Sequence, residues 1–362
     1  MNKYKLGTRE MVAILLITIG TKFTDATPNL LFPKTYMATW MVPLFAAGMI
    51  AIPLAIFLHL LNKYELGLVD LVKKLSGKFV GTVFSSFIFI FYLVGTAFLM
   101  SDYVFILSTL YFPQTPDYVI LVVLAVVCFG IASGGPYMIG RTAWIVLPYV
   151  MIALALLLIL AMVEEMDTAY LFPIFGKGLD VVVKESFLKN SIYVETITMA
   201  TFIPFMTKVK QYSKAAIIGL SILAIEMSFF FMFYVTIFDA YSLEDMLLPF
   251  QHLTRVVELG RFISNFEGYF LVFWLIASIV KYTVYLFVTA HLFTQTFNVK
   301  STRFHLIPIT TLMVLIGMYP DNLISSSFLY RNTVLHIGSF FFFILPFLLW
   351  ILSLRKKASA SP

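Results

Sequence analysis

Ten apolar segments, with no soluble domain between them, limit what this chain can fold into. They lie at residues 9–31, 40–61, 80–111, 118–133, 142–163, 190–206, 215–238, 263–296, 305–319 and 332–354. A helix needs about 20 apolar residues to cross a hydrocarbon core ~30 Å thick, so ten of them need about 200. Apolar residues are 60% of the 362, or about 217. Charged residues make up only 12%, against about 25% in an ordinary soluble domain. No soluble globule of this size has an interior large enough for so much apolar surface. The composition also excludes a disordered chain and, with a single cysteine (Cys128), a disulfide scaffold. The reading is an all-α membrane protein of ten spans. The third and eighth segments are longer than the core requires, so they tilt or project beyond it.

The net charge of +6 is a topology signal, not a mark of nucleic-acid binding. With the N-terminus inside, cytoplasmic stretches hold Lys3, Lys5, Arg9, Lys63, Lys73, Lys74, Lys78, Arg141, Lys208, Lys210, Lys214, Lys300, Arg303, Arg355, Lys356 and Lys357. External stretches hold only Lys34, Lys177, Lys184, Lys189, Arg255, Arg261 and Arg331. Nine acids fall outside: Glu164, Glu165, Asp167, Asp180, Glu185, Asp239, Glu244, Asp245 and Glu258. Both biases put both termini in the cytoplasm. A cleaved signal peptide ending near Thr24-Asp25-Ala26 is the rival reading of the first segment. The external connection 164–189 reads as a turn and a short amphipathic helix over 179–188, and 239–261 as a second surface helix.

A connection outside after the fifth span divides the chain into halves, 1–163 and 190–354, of opposite orientation. Inverted repeats of this kind place their site near the midplane, between broken first helices of each half. The first span contains Gly20-Thr21-Lys22-Phe23-Thr24-Asp25-Ala26-Thr27-Pro28. Backbone freed there is tolerable at membrane depth only where it lines a cavity. A Pro-kinked helix with Lys22 and Asp25 as an i,i+3 pair is the plainer alternative. The sixth span carries Glu195 in apolar surroundings, two threonines and Pro204 nearer the cytoplasmic end, but no Gly.

Six ionisable residues fall deep in spans: Lys22, Asp25, Asp102, Glu195, Glu226 and Lys281. Each costs at least ~2.5–3.5 kcal/mol to insert, so each demands a partner or a function. A buried ion pair that fixes helix packing is the simpler account of any one. Asp102 lies toward the outer end of the third span, where an interfacial place is also open. Lys281 has a sharper reading, as a fixed ammonium standing where a cation bridges the first and eighth helices. His59, His252, His291, His305 and His336 are scattered singly, without metal-ligand spacing. No nucleophile elbow, Walker loop or dinucleotide pattern occurs, and Gly130–Pro136 reads as a loop between spans. Nothing points to an enzyme or a cofactor.

The chain resembles the B subunits of endospore nutrient-germinant receptors, the spore germination permeases of the amino acid–polyamine–organocation superfamily. The residues that carry the likeness run along nearly the whole chain. They are Gly140-Arg141 with Pro148, Leu171-Phe172-Pro173-Ile174-Phe175-Gly176-Lys177-Gly178, Glu195 with Pro204, Arg261 before Glu267 and Trp274, and Tyr319-Pro320. An acidic residue often precedes the fifth-span Arg in that family, where this chain has Gly135-Pro136-Tyr137. The resemblance implies a leucine-transporter-like fold, a 5+5 inverted repeat with discontinuous helices 1 and 6. It implies a small nutrient ligand, typically an amino acid, and a complex with A and C subunits in the spore inner membrane. Ligand binding would initiate germination, by opening an ion path rather than by pumping. The pocket it implies takes Thr18, Gly20, Thr21 and Lys22 from the first helix and Tyr193, Glu195 and Thr198 from the sixth. Thr96 and Leu99 of the third helix, and Ser278 with Lys281 of the eighth, complete it. Amides near Gly20 would receive a ligand carboxylate, and Glu195 or carbonyls would face its ammonium. A proton-coupled amino acid or polyamine transporter is the alternative function.

Overall fold

The computed structural model describes residues 5–164, 166–256 and 266–358. Lys3, Glu165, Glu258 and Arg261, counted above, lie outside the described residues, as do the side chains of Glu164 and Lys357. Eight spans are single helices. They are span 2 (Met41–Tyr64), span 3 (Lys78–Leu110), span 4 (Asp117–Ser133), span 5 (Gly135–Glu164), span 7 (Val209–Phe238), span 8 (Phe266–Phe297), span 9 (Thr302–Gly317) and span 10 (Asn332–Ala358). Six of these regions are long and apolar enough to cross a membrane unaided, and spans 4 and 9 are shorter apolar helices. Spans 1 and 6 are interrupted, which completes ten. Span 3 has 33 residues, about 50 Å of helix at 1.5 Å per residue, so it outruns the core as its sequence length requires.

Span 1 is an α-helix over Thr8–Gly20, then a tight 3-10 turn over Thr21–Phe23 and another over Pro28–Leu30. Between them the Asp25 carboxylate acts as backbone would. Its Oδ1 accepts from the Thr27 N–H at 2.8 Å and the Thr27 hydroxyl at 2.6 Å, the local bonding that lets Asp compete with a helix ladder. Span 6 breaks with no Gly. Asn190–Tyr193 and Met199–Phe205 are 3-10, with one α-turn, Glu195–Thr198, between them. Hydroxyls take up carbonyls along it: Thr196 donates to Tyr193 O and Thr201 to Thr198 O, both at 2.7 Å.

Helix contacts follow a two-fold logic. Span 1 packs against spans 5 and 7, and span 6 correspondingly against spans 10 and 2. Spans 3 and 8, which correspond to each other, pack together. On the face where the chain starts, Leu6 N–H donates to Phe205 O at 3.0 Å, tying the start of the chain to the end of span 6. An amphipathic helix, Leu68–Ser76, lies on this face, where the sequence reading had only a basic connection. Gly81 lets it sit directly on span 3, because a Cβ there would meet Lys73 Cα at 2.5 Å. Its Lys73 ammonium then caps the end of span 8, donating to Gln295 O at 2.6 Å and Thr296 O at 2.7 Å, where a cation suits the helix dipole. On the opposite face the expected helix over 179–188 forms as Leu179–Leu188, and short helices Ala240–Asp245 and Pro249–Val256 follow span 7.

Two readings change. Gly130–Pro136 is not an open loop, since span 4 runs to Ser133 and span 5 starts at Gly135. The chain reverses at Gly135, whose φ of +83° is open to glycine without the Cβ penalty. Arg331 is not an external loop residue. It ends a π-helical stretch, Ser325–Arg331, at the entrance to span 10 and is 3% exposed. Wide π turns are frequent at functional sites.

Candidate functional site

The breaks in spans 1 and 6 face each other, and charge joins them. Lys22 Nζ lies 2.8 Å from both Glu195 oxygens and donates to the Ile192 carbonyl at 2.7 Å. Tyr285 of span 8 donates to Glu195 Oε1 at 2.6 Å, with Thr18 O 3.1 Å away. One helical turn further on, Asp25 holds two cations. Arg331 Nη2 lies 2.8 Å from Oδ1 and 2.9 Å from Oδ2, and Lys281 Nζ lies 3.4 Å from Oδ2. Arg331 also reaches Thr27 Oγ1, and its Nη1 donates to Asp102 Oδ2 of span 3 at 3.2 Å. Three bases and three acids, from spans 1, 3, 6, 8 and 10, thus balance in two groups. All six are under 10% exposed. Buried charges are tolerated when paired and hydrogen-bonded, and removing one partner is what costs.

The Lys22–Glu195 pair walls a cavity of about 60 Å³ between spans 1, 3, 6, 8 and 10. That is room for about two waters, so a ligand of amino-acid size requires the surrounding spans to part. Thr96, Leu99, Tyr92, Phe98 and Arg331 line it as well. Phe98 stacks on Tyr330, with ring centroids 5.0 Å apart, and Tyr92 bonds Thr198 through their hydroxyls.

The residues named from the sequence divide between places. Lys22, Thr96, Leu99 and Glu195 line the central cavity. Thr18 and Thr198 do not line it but bond residues that do, the Thr18 carbonyl accepting from Tyr285 and the Thr198 hydroxyl bonding Tyr92. Gly20 and Thr21 turn instead to the other side of span 1, onto a second cavity of about 30 Å³ that includes Glu226. A Cβ on Gly20 would stand 3.5 Å from Glu226 Oε2, and that oxygen has no hydrogen-bond partner among the described residues. Tyr193 is fully buried against span 2, its hydroxyl donating to Pro43 O at 3.1 Å. Ser278 is buried on span 8 but does not line the central cavity. Lys281 of span 8 lies 3.4 Å from Asp25 Oδ2 of span 1. Asp102, open to an interfacial reading, is 1% exposed. Lys22 and Asp25 pair with others and not with each other. Among the described residues no cluster of His, Cys and acids has metal-binding form.

Sequence reasoning missed Arg331, Tyr92 and Tyr285. The signal for Arg331 was faint: three serines, 325–327, before an Arg at the start of an apolar run. The tyrosines are indistinguishable by sequence from packing aromatics.

Comparison with known proteins follows the same line. A protein of 11% sequence identity, a Na+-coupled sialic acid symporter solved in a substrate-bound outward-open state, superposes with a TM-score of 0.64. The match covers 87% of this chain and 75% of that one. It places the ten spans in the leucine-transporter-like inverted-repeat fold with discontinuous helices 1 and 6. Spore germination protein YndE of Bacillus subtilis (strain 168) is 26% identical over 79% of this chain and 78% of its own length. Spore germination protein XB of Bacillus anthracis is 24% identical over 85% and 86%. Spore germination protein A2 of Bacillus subtilis (strain 168) is 25% identical over 98% and 96%. The family model described as spore germination protein matches residues 8–324, so this integral, multi-pass membrane protein belongs to the spore germination protein family.

Proposed function

We propose that this chain is the ligand-sensing membrane subunit of a spore germinant receptor. It takes a small, amino-acid-sized nutrient at the midplane, between the broken spans 1 and 6. One observation carries the reading: the two breaks meet across the Lys22–Glu195 pair at the wall of a cavity. A ligand entering there must move that pair and with it both breaks, so occupancy and conformation are coupled. Asp25, Asp102, Arg331 and Lys281 hold span 1 to spans 3, 8 and 10, so that movement reaches beyond the cavity. The bound state is passed to A and C subunits in the spore inner membrane, with both termini of this chain on the cytoplasmic side.

Ligand-dependent thermal stabilisation of the purified protein across amino acids, sugars and nucleosides tests the reading, since only a binder of the folded state raises its melting temperature. One chemical class should stabilise the protein, and Glu195→Gln should abolish the shift. The transporter alternative makes the opposite demand on vesicles. Accumulation of labelled solute against a gradient by this chain alone would replace sensing with transport.

A further inference from the structure

Of the four acids set deep in the spans, Asp25, Asp102 and Glu195 are matched by the bases there, and Glu226 is left over. Its Oε2 is buried without a hydrogen-bond partner among the described residues. The residue lines the cavity of about 30 Å³ behind span 1, which has room for about one water. Span 5, span 8 and the helix Pro249–Val256 wall that cavity with apolar groups, among them Leu147, Val150, Leu154, Phe250, Phe273 and Ala277. Beside Glu226 along span 7, Ile222, Ile225 and Phe229 are exposed on the outer surface of the bundle, which faces hydrocarbon.

Among the described residues no cation pairs with Glu226. Lys22 of span 1 is held by Glu195 and the Ile192 carbonyl, and Asp25 by Arg331 and Lys281. Tyr193 of span 6 donates to Pro43 O, and Tyr212 and Tyr234 of span 7 itself donate to the Thr196 and Phe23 carbonyls. In span 2 the ionisable residues, His59, Lys63 and Tyr64, sit at the cytoplasmic end, where Asn62 bonds Ser213, about 20 Å along span 7 from Glu226. Toward the outer end of span 7, Asp167 N–H donates to Thr236 O, about 15 Å from Glu226. Asp239 and Glu244 follow span 7, and His252 and Arg255 are exposed beyond them. What does face the carboxyl is the carbonyl end of a helix. Thr8–Gly20 stops at Gly20, where a Cβ would stand 3.5 Å from Glu226 Oε2, and a helix C-terminus carries partial negative charge. An ionised Glu226 would be an unpaired charge against that negative end. A protonated one is neutral and has an O–H to offer the carbonyls of the break.

We propose that Glu226 is a proton-binding site behind the break in span 1. It holds its proton while the end of the first helix packs against span 7, and passes it to water when that end moves away. The carboxyl becomes a carboxylate, the water a hydronium ion, and the transfer reverses when the helix returns. Rising pH therefore favours the parted arrangement. The site suits a proton and not a metal ion, since hard cations take about six or more oxygen ligands. The other side-chain oxygens of the cavity, the Thr21 and Thr24 hydroxyls, already bond the Ile17 and Thr21 carbonyls. The inference goes beyond ligand sensing and depends on no particular ligand.

Infrared spectra of the full chain in lipid nanodiscs test it. At neutral pH the native protein should show the carbonyl stretch of a protonated carboxyl group, and Glu226→Gln should lack it. Heavy-carbon labelling of the glutamate carboxyls should shift that band in the native protein, which assigns it to a glutamate without any variant. A native spectrum with no protonated glutamate at neutral pH overturns the inference. Loss of the band on adding Na+ or K+ at fixed pH also overturns it, in favour of a metal-ion site. Denaturant unfolding gives a second reading. Above about pH 4.3, the ordinary glutamate value, the unfolded chain gives up this proton and the native protein keeps it. Native stability should then fall with rising pH relative to Glu226→Gln, and parallel profiles would contradict the proposal. Hydrogen exchange reads the link to span 1. As alkaline pH removes the band, amides 20–24, corrected for their intrinsic rates, should lose protection by about tenfold or more in the native protein and keep it in Glu226→Gln. Unchanged protection after the proton is lost would overturn the coupling to the break.

Discussion

The two breaks in this molecule occupy matching places in the inverted repeat and are held in different ways. The break in span 1 is pinned by charge: Asp25 carries two cations, and Lys22 reaches across to span 6. The break in span 6 has one charge, Glu195, and otherwise relies on neutral hydroxyls. Tyr285 bonds Glu195, Tyr212 bonds the Thr196 carbonyl at 2.7 Å, and Tyr92 bonds Thr198. Span 1 therefore has few arrangements available without separating ion pairs. Span 6 can trade one neutral hydrogen bond for another at small cost. Under the proposed function, span 6 together with Lys22 is the side that yields to a ligand, and Asp25 is the anchor.

The sharpest way to break this contrast is Asp25→Asn. It leaves Arg331 with only Asp102 and Lys281 with no carboxylate among the described residues, a loss on the order of 3–5 kcal/mol. Denaturant unfolding in detergent should show the folded protein barely populated. Glu195→Gln comes next, at about 2–3 kcal/mol, because a charged hydrogen bond goes while Lys22 keeps the Ile192 carbonyl. Were this variant the less stable of the two, the roles of the breaks would be exchanged. The double change Lys22→Gln with Glu195→Gln should be milder than the sum of the singles by about 1–2 kcal/mol, the coupling expected of residues in contact. Tyr212→Phe should cost about 0.5–1.5 kcal/mol, one neutral hydrogen bond, with the secondary structure unchanged by circular dichroism. Glu226→Gln should not lower stability, since it removes an ionisable group deep in a span that belongs to neither break and whose Oε2 has no partner among the described residues. A large loss there would mean that the second cavity also holds span 1 in place.

Much of the architecture was legible because the bilayer leaves few choices. Apolar length gives the spans, and Gly20 with Pro28 marks the first break. Glu195 marked the sixth span as unusual, yet its 3-10 course has no glycine to announce it. The intramembrane charges were also plain, because a charge in an apolar run stands out. Arg331 was not, because it begins its run. Hydropathy does not distinguish an arginine that reaches out to the interface from one that turns into the bundle. The Gly20–Thr21 stretch shows the other limit. Its sequence marks a break, but which side of span 1 those two residues face depends on how spans 5 and 7 pack against it.

By itself, then, the sequence determined the ten spans, the family resemblance and the ionisable residues that need partners in the membrane. Only the tertiary structure decided which partner each one takes. Lys22 and Asp25 are three residues apart and were free to pair locally. Instead Lys22 meets Glu195 across 173 residues, and Asp25 meets Lys281 across 256 and Arg331 across 306. The reason is geometric. Burial compels each charge to find an opposite charge, but the choice among several depends on helix packing angles and depths, which local sequence does not encode.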